Sequence, residues 1–342
     1  MKYQYLIISN LPAFYKINLY NKLNELFPIK VVFISSSSLI RNKDFIKGKI
    51  NFEYEVLTDT PYEKRNKFLT FLKVLKLLNN TNYKIVLFPG WELLELIPLM
   101  LLNKREKNGI VIESSILETN TTGLVWKLKK LIINRMGHAF PSGVLQEEIL
   151  NKADYKAETY ITYGVGLPLR NQARTINERT HSTNNYRYLY VGRVSPEKNI
   201  KRLVSEFNKN GRHLSIVGDG VDLEDIKRIA KDNIKFYGYV NNSDLAEIYK
   251  SHDFFILPSL SEPWGLVVDE ALWYGLPCLV SKNVGCSSDL VESLDTGLIF
   301  DPEDDFEKML ITAESNFDKY LQNVGKIDFD ERDMLQVNSY KI

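Results

Sequence analysis

The sequence predicts an α/β protein of two Rossmann-like domains facing a cleft, and three observations predict it. Strand-like apolar runs alternate with helix-patterned segments along most of the chain. The alternation stops once, over residues 169–186, where apolar periodicity is almost absent, and then restarts. The chain has 342 residues, too many for one ordinary core and enough for two.

In the first half, YQYLIIS (3–9) reads as a strand, FYKINLYNKLNELF (14–27) as the helix after it, and IKVVFIS (29–35) as the next strand. FLTFLKVLKLLNN (68–80) has helical spacing, with Leu69, Leu72, Leu75 and Leu78 near one face. KIVLFPG, GIVIES and HAFPSG are further strands ending in turn residues. Continuous apolar runs of this kind suit a parallel sheet buried on both faces.

After the break, the strands are YRYLYVG (186–192), HLSIVG (213–218), IKFYGYV (234–240), HDFFILPS (252–259) and LPCLVS (276–281). The helices between them are NIKRLVSEFNK, LEDIKRIAK, SDLAEIYKS and GLVVDEALWYG. Such order argues a doubly wound parallel sheet, whose ligands collect beyond the carboxyl ends of the strands. The expected organisation is a domain over 1–168, a linker over 169–186, a second domain over 187–325 and a terminal segment over 326–342.

Composition excludes several classes. A hydrophobic fraction of 44% with 25% charged residues is that of a soluble globular chain, not a disordered or fibrous one. Two cysteines, Cys278 and Cys286, give neither a disulfide framework nor metal-ligand spacing, so a reducing, cytoplasmic compartment is expected. The N-terminus reads as a first strand rather than a signal peptide. No run approaches the roughly 18 apolar residues of a membrane span. The histidines do not cluster; His138 lies in an apolar strand and is expected to be a satisfied core residue. Net charge is +1, but residues 1–175 hold 25 Lys and Arg against 15 Asp and Glu, while the remainder holds 19 against 28. A basic half on a nearly neutral chain either faces something anionic or carries scattered solvated lysines. Nucleic acid has only this asymmetry in its favour, with no recognised module, so none is expected as a partner.

Three motifs carry chemistry. VGRVSPEKN (191–199) ends a strand at Gly192 and offers Ser195-Pro196 as a helix start, flanked by Arg193 and Lys198. Two cations at a helix N-terminus suit a diphosphate; a capped helix with two solvated cations is the plainer alternative. IVGDGVDLEDI (216–226) places Gly218 and Gly220 between strand and helix, where glycine lets the backbone approach a ligand or simply turn. SLSEPWGLVVDEALWYGLPCLVS (259–281) is the most specific. Glu262 lies in the loop after a strand, Gly265 opens a helix, and Glu270 follows just over two turns after Glu262. Two carboxylates at different depths along one ligand suit a sugar clamp; a capping Glu and a surface helical Glu are the plainer alternative, which leaves Pro263-Trp264-Gly265 unexplained.

These motifs, in this order, resemble the "group one" family of retaining glycosyltransferases with the GT-B fold. The resemblance is close from about Tyr188 to Phe300 and rests on strand pattern alone in the first half. It implies that Arg193 and Lys198 bind the donor diphosphate, that Glu262 touches the transferred sugar and that Glu270 holds the ribose. It implies that the backbone of Gly265, Leu266 and Val267 covers phosphate and sugar, that Tyr239 and Val240 meet the base, and that Gly192, Gly218 and Gly220 line the pocket. The first domain would take the acceptor, and the terminal segment would return to it. Trp264 stands where phenylalanine is commoner. The loop after the first strand, which includes Asn10 and Tyr15, is not glycine-rich, and GIVIES ends in Glu113 where many relatives carry a histidine. Asn10, Tyr15 and Glu113 are therefore the acceptor-side candidates, with Glu113 either polar to the acceptor or capping a loop.

The expected reaction is transfer of a sugar from a UDP- or GDP-sugar to an acceptor hydroxyl, with retention and without cofactor or metal. The one Asp-x-Asp string, Asp328 to Asp330, lies outside the expected site. GLVWKLKKLIINR (123–135) is a basic amphipathic helix, either lying on an anionic membrane from Trp126 to Arg135 or burying one face in the core. The membrane alternative implies a lipid-linked glycan acceptor in capsule, O-antigen or other surface polysaccharide synthesis, by a peripheral enzyme on the cytoplasmic face. Competing classes are a sugar-nucleotide 2-epimerase of the same architecture, a non-catalytic donor-binding relative, and a nicotinamide oxidoreductase. The last would want a glycine fingerprint after the first strand, which SNLPAFY is not.

Overall fold

A computed structural model describes residues 2–41, 48–168, 170, 174, 185–242 and 244–342. The chain divides into two compact units: Met1–Leu169 with Asp330–Ile342, and Arg170–Phe329. Most of the expected linker, including His181, lies outside the described residues.

The first unit holds strands β1 (Tyr3–Ser9), β2 (Ile29–Phe33), β3 (Glu53–Val56), β4 (Tyr83–Phe88), β5 (Asn108–Ile112), β6 (His138–Pro141) and β7 (Glu158–Thr159). They form one parallel sheet in the order β3-β2-β1-β4-β5-β6-β7, so strand order reverses between β1 and β4. Side chains alternate across β1. Leu6 and Ile8 join a core with Val74, Trp126 and Ile133, whereas Tyr5 and Ile7 join Ile17, Leu23, Val337 and Tyr340. Helices Lys67–Asn80 and Gly123–Asn134 thus cover one face, and helices Phe14–Leu26 and Phe329–Asn338 the other. The terminal segment is built into this unit. Tyr5 Oη donates to the Tyr340 carbonyl at 2.7 Å, and Tyr340 stacks on Phe140.

Several expectations need correction. In the helix Lys67–Asn80, Thr70 and Val74 are the buried residues, while Leu69 and Leu72 are exposed. One helical row, four residues apart, seats on the sheet, and Leu75 and Leu78 pack only at its margin. β3 and β7 escape the apolar pattern because they are edge strands, nearly all of whose side chains are exposed. His138 opens β6 partly exposed; its Nε2 lies 3.2 Å from the Glu106 carbonyl, but the buried Nδ1 finds no partner.

The second unit holds β8 (Arg187–Val191), β9 (His213–Val217), β10 (Ile234–Gly238), β11 (Phe254–Leu257), β12 (Cys278–Ser281) and β13 (Gly297–Phe300). The order is β10-β9-β8-β11-β12-β13, again all parallel, with reversal between β8 and β11. Tyr188, Tyr190, Phe254 and Phe255 are fully buried in the central strands. Where strand order reverses, the connections leave in opposite directions and open a crevice at the carboxyl ends.

Candidate functional site

The crevice of the second unit receives the loops after β8 and β11. After β8 the chain runs through Gly192 and Arg193 into a short 3-10 turn, Pro196–Lys198. The expected start at Ser195-Pro196 is that of this 3-10 turn, with Pro196 its first residue, and not of a continuous α-helix. Ser195 donates its hydroxyl to Glu197 Oε1 at 2.7 Å instead of capping backbone, and Asn199 at φ 59° precedes the helix Ile200–Asn210. Asparagine tolerates that left-handed conformation, which turns the chain between the two helical pieces. Lys198 is buried, and its ammonium pairs with Glu262 from the loop after β11. Arg193 stays half exposed, 3.3 Å from Glu197. Burial opposes ionisation of Glu197, but the Ser195 hydroxyl and the cations Arg193 and Lys198 outweigh it and lower its pKa. The Glu197 carbonyl also accepts from Leu260 N–H at 2.8 Å, tying the two loops across the reversal. Glu197 is a site residue without an assigned role in the motif analysis; its place inside R-x-x-x-E-K is the signal for it.

The loop carrying Glu262 is held on its other side. Glu262 N–H donates to Asn283, Gly285 N–H donates back to Glu262, and Cys286 N–H donates to Trp264. Trp264 is buried, its indole N–H donating to Asp269 at 3.2 Å. Gly265 sits at φ 103°, and a Cβ there would stand 3.0 Å from Val284. Glycine therefore permits the entry into the helix Leu266–Trp273, whose first N–H groups, at Leu266 and Val267, find no acceptor inside the helix.

Gly218 and Gly220 serve backbone packing. A Cβ on Gly218 would fall 1.8 Å from the Gly192 carbonyl, and one on Gly220 2.2 Å from the Val194 carbonyl. Val194 N–H donates to Asp219, and Gly218 N–H to Gly238, so the ends of β8, β9 and β10 are zipped together. Tyr239, exposed, and Val240 follow β10 at the sheet edge, two strands from the Lys198 turn.

Glu270 lies further along the Leu266–Trp273 helix and accepts from the Tyr249 hydroxyl at 3.2 Å. Burial raises its pKa to about 7, the Tyr249 bond working against that rise and Asp269 adding to it. Sequence spacing gave no signal for Tyr249, which is 21 residues away on another helix.

In the first unit, the loop after β1 carries Asn10, whose buried Oδ1 finds no partner. Glu113 follows β5 and pairs with Lys16. Burial, with Glu113 nearby, pushes the Tyr15 hydroxyl up to about 12. Lys16 was absent from the motif analysis, since nothing in local spacing links positions 97 apart. In the helix Gly123–Asn134, Trp126, Ile132 and Ile133 are buried while Leu124, Val125, Leu128 and Leu131 are exposed. Trp126 is thus a core residue, correcting its expected place on an interfacial face. Among the described residues no helix is long and apolar enough to cross a membrane, and no three His, Cys, Asp or Glu side chains are grouped to hold a metal ion.

A doubly wound unit with a cation-carboxylate crevice at its strand reversal belongs to the class of open α/β folds whose ligands sit at that reversal. Residues 171–326, just short of half the chain, match the family model of glycosyl transferases group 1. Over 124 residues the chain is 36% identical to a GDP-mannose-dependent alpha-mannosyltransferase of Mycolicibacterium smegmatis, covering 36% of this chain and 32% of the relative. It is 29% identical over 131 residues to an uncharacterized 41.2 kDa protein in the cps region of Klebsiella pneumoniae, covering 37% and 36%. The chain thus spans about a third of the length of these curated relatives. Along 98% of both chains its fold is that of the lipopolysaccharide outer core galactosyltransferase WaaB, with TM-score 0.70 and 17% identity. It is also that of a sucrose-phosphate synthase from Thermosynechococcus elongatus, with TM-score 0.68 and 16% identity, covering 99% and 94%. The architecture is GT-B.

Proposed function

We propose that the chain is a retaining, metal-independent glycosyltransferase that moves a sugar from a UDP- or GDP-sugar to a hydroxyl of a lipid-linked glycan in surface polysaccharide synthesis. The observation that carries this is the Lys198–Glu262 pair at the reversal of the second sheet. The two satisfy each other. With donor bound, Lys198 and Arg193 turn to the diphosphate and Glu262 accepts from sugar hydroxyls, the roles the family resemblance implies.

As the bond from anomeric carbon to phosphate oxygen breaks, that oxygen gains negative charge. Arg193, Lys198 and the N–H groups at Leu266 and Val267 are fixed donors for that charge where it develops. The acceptor oxygen bonds to the anomeric carbon on the same face, and its proton passes to the departing phosphate. No covalent carboxylate is required. Glu270 holds the ribose, and Tyr239 and Val240 meet the base. On the acceptor side, Asn10, Tyr15 and Glu113 face the incoming hydroxyl.

A lipid-linked acceptor is supported by the exposed Leu124, Val125, Leu128 and Leu131 beside Lys127 and Lys130, a face suited to an anionic bilayer. The cps-region relative and the lipopolysaccharide galactosyltransferase are consistent with surface polysaccharide synthesis, and the proposed enzyme is peripheral on the cytoplasmic face. The test of the donor site is thermal-shift titration with UDP, GDP, ADP and CDP, with and without EDTA, on wild type and Arg193→Ala. A shift from one nucleotide, insensitive to EDTA and lost in the variant, is expected. No shift with any nucleotide would overturn the donor site. For the membrane face, Leu124→Glu with Leu128→Glu should cut binding to phosphatidylglycerol-containing vesicles at least about tenfold. Undiminished binding would remove this helix from the interface.

A further inference from the structure

We propose that Tyr249 is a positioning residue of the nucleotide site, holding Glu270 so that one carboxylate oxygen is presented to the paired hydroxyls of a ribose. It depends on Glu270 being the ribose carboxylate, as proposed above. Tyr249 belongs to the helix Leu245–Lys250 and is fully buried. Its ring stacks on Tyr274 with centroids 5.1 Å apart and lies tilted against Phe255 of β11 at 6.3 Å. Packing against these two rings therefore fixes where its hydroxyl points. That hydroxyl donates to Oε2 of Glu270 at 3.2 Å, and no other hydrogen bond reaches the Glu270 carboxylate among the described residues. A carboxylate offers about four acceptor positions over two oxygens. With Oε2 tethered, Oε1 keeps its full capacity for hydroxyl donors.

The same bond adjusts the charge of the site. Around the pair stand Asp269 on the Glu270 helix, Tyr274 after it, Glu247 on the Tyr249 helix and Cys278 of β12. Burial raises the Glu270 pKa and Asp269 raises it further, while the Tyr249 hydroxyl is the one group pulling it down. Without that hydroxyl, Glu270 keeps its proton to higher pH, and a protonated acid accepts less well from ribose.

The experiment is isothermal titration of UDP, GDP and ADP, each beside its 2′-deoxy counterpart, into wild type, Tyr249→Phe, Glu270→Gln and Arg193→Ala between pH 6 and 8.5. Wild type should prefer the ribonucleotide about tenfold. Tyr249→Phe, which keeps the stacked ring, should shrink that preference to about threefold or less with the 2′-deoxy affinity unchanged, and should move the pH midpoint of ribonucleotide binding upward. Arg193→Ala should weaken both nucleotides alike. If Tyr249→Phe retains the wild-type preference, or weakens both nucleotides equally, the positioning role is overturned. If Glu270→Gln leaves the preference unchanged, the ribose assignment itself fails, a result distinct from the first. Glu270→Asp is the second variant: it keeps the charge but withdraws the carboxylate from Tyr249, and an undiminished preference there also overturns the proposal.

Discussion

Both sheets reverse strand order beside their first strand, and in both a lysine after the first strand meets a glutamate after a later one. In the first unit Lys16, on the helix after β1, pairs with Glu113 after β5. In the second, Lys198, in the turn after β8, pairs with Glu262 after β11. The lysines are equally sheltered, at 12% and 11% side-chain exposure, but Glu113 is 36% exposed and Glu262 17%. Their neighbours differ more. Lys198 shares its crevice with a second cation, Arg193, and with the start of a helix. Lys16 is surrounded by Tyr15, Tyr20 and Tyr340. Close to Glu113 lies Glu92, whose pKa is raised by burial and then by Glu113 and Glu118. One topology therefore yields an anion-seeking crevice in one unit and a hydroxyl-rich, acid-rich one in the other. That division suits a diphosphate donor in the second unit and a neutral polyhydroxyl acceptor in the first.

The sharpest way to break this comparison is to remove each lysine in turn. Lys198→Met should lower nucleotide release from the donor by about 10²–10³, the scale of a lost charge-stabilising donor. Lys16→Met should leave donor hydrolysis in water within about threefold while transfer to acceptor falls, because Lys16 belongs to the unit proposed to take the acceptor. Equal losses of hydrolysis in the two variants would erase the distinction. A step smaller, Arg193→Ala should raise the Kd for the bound nucleoside diphosphate about ten- to one-hundredfold, since Arg193 is half exposed and Lys198 stays in place. Calorimetry would read it, and an unchanged Kd would remove Arg193 from the phosphate site.

The site of the second unit also answers pH. Glu270 is held near pKa 7, against 4.5 as its ordinary value. Between those values the folded chain keeps a proton that the unfolded chain has lost, so ligand-free stability falls as pH rises across that window and levels off above it. Nucleotide binding has the opposite sign, because ribose hydroxyls favour the ionised carboxylate. Affinity should rise several-fold from about pH 6 to 8 and flatten above, and Glu270→Gln should remove the dependence. A wild-type affinity flat across that range would detach Glu270 from the ligand.

Legibility in the sequence divided along the same line. The second unit could be read because its site residues come in two short segments, 191–199 and 259–270, each carrying glycine, proline and charge at fixed offsets. Its central strands, buried on both faces, appear as mostly apolar runs; β13 was missed, whose GLIF is short and partly exposed. The first unit gave its central strands for the same reason, but not its edge strands or the seated row of the helix Lys67–Asn80. Lys16 and Tyr249 were invisible because each acts through a partner on another element, and tertiary pairing leaves no period. Gly218 and Gly220 were legible as glycines that permit close approach, but the sequence could not say that the approaching group was the Gly192–Val194 backbone.

The smallest expected effect separates the pairs by stability alone. Removing one partner of a sheltered ion pair leaves the other charge short of solvent, and the cost grows with burial. Lys198→Met strands Glu262 with little water, so about 2–3 kcal/mol should be lost in urea unfolding of the ligand-free protein. Lys16→Met strands a carboxylate that is already more than one-third exposed, and about 1 kcal/mol is expected. Double-mutant cycles with Glu262→Gln and Glu113→Gln would give the coupling in each pair directly. A larger coupling at Lys16–Glu113 would mean that the first-unit pair is a structural clasp rather than a place for acceptor hydroxyls. A larger coupling at Lys198–Glu262 fits a pair that stays shut until a diphosphate supplies a stronger partner for the lysine.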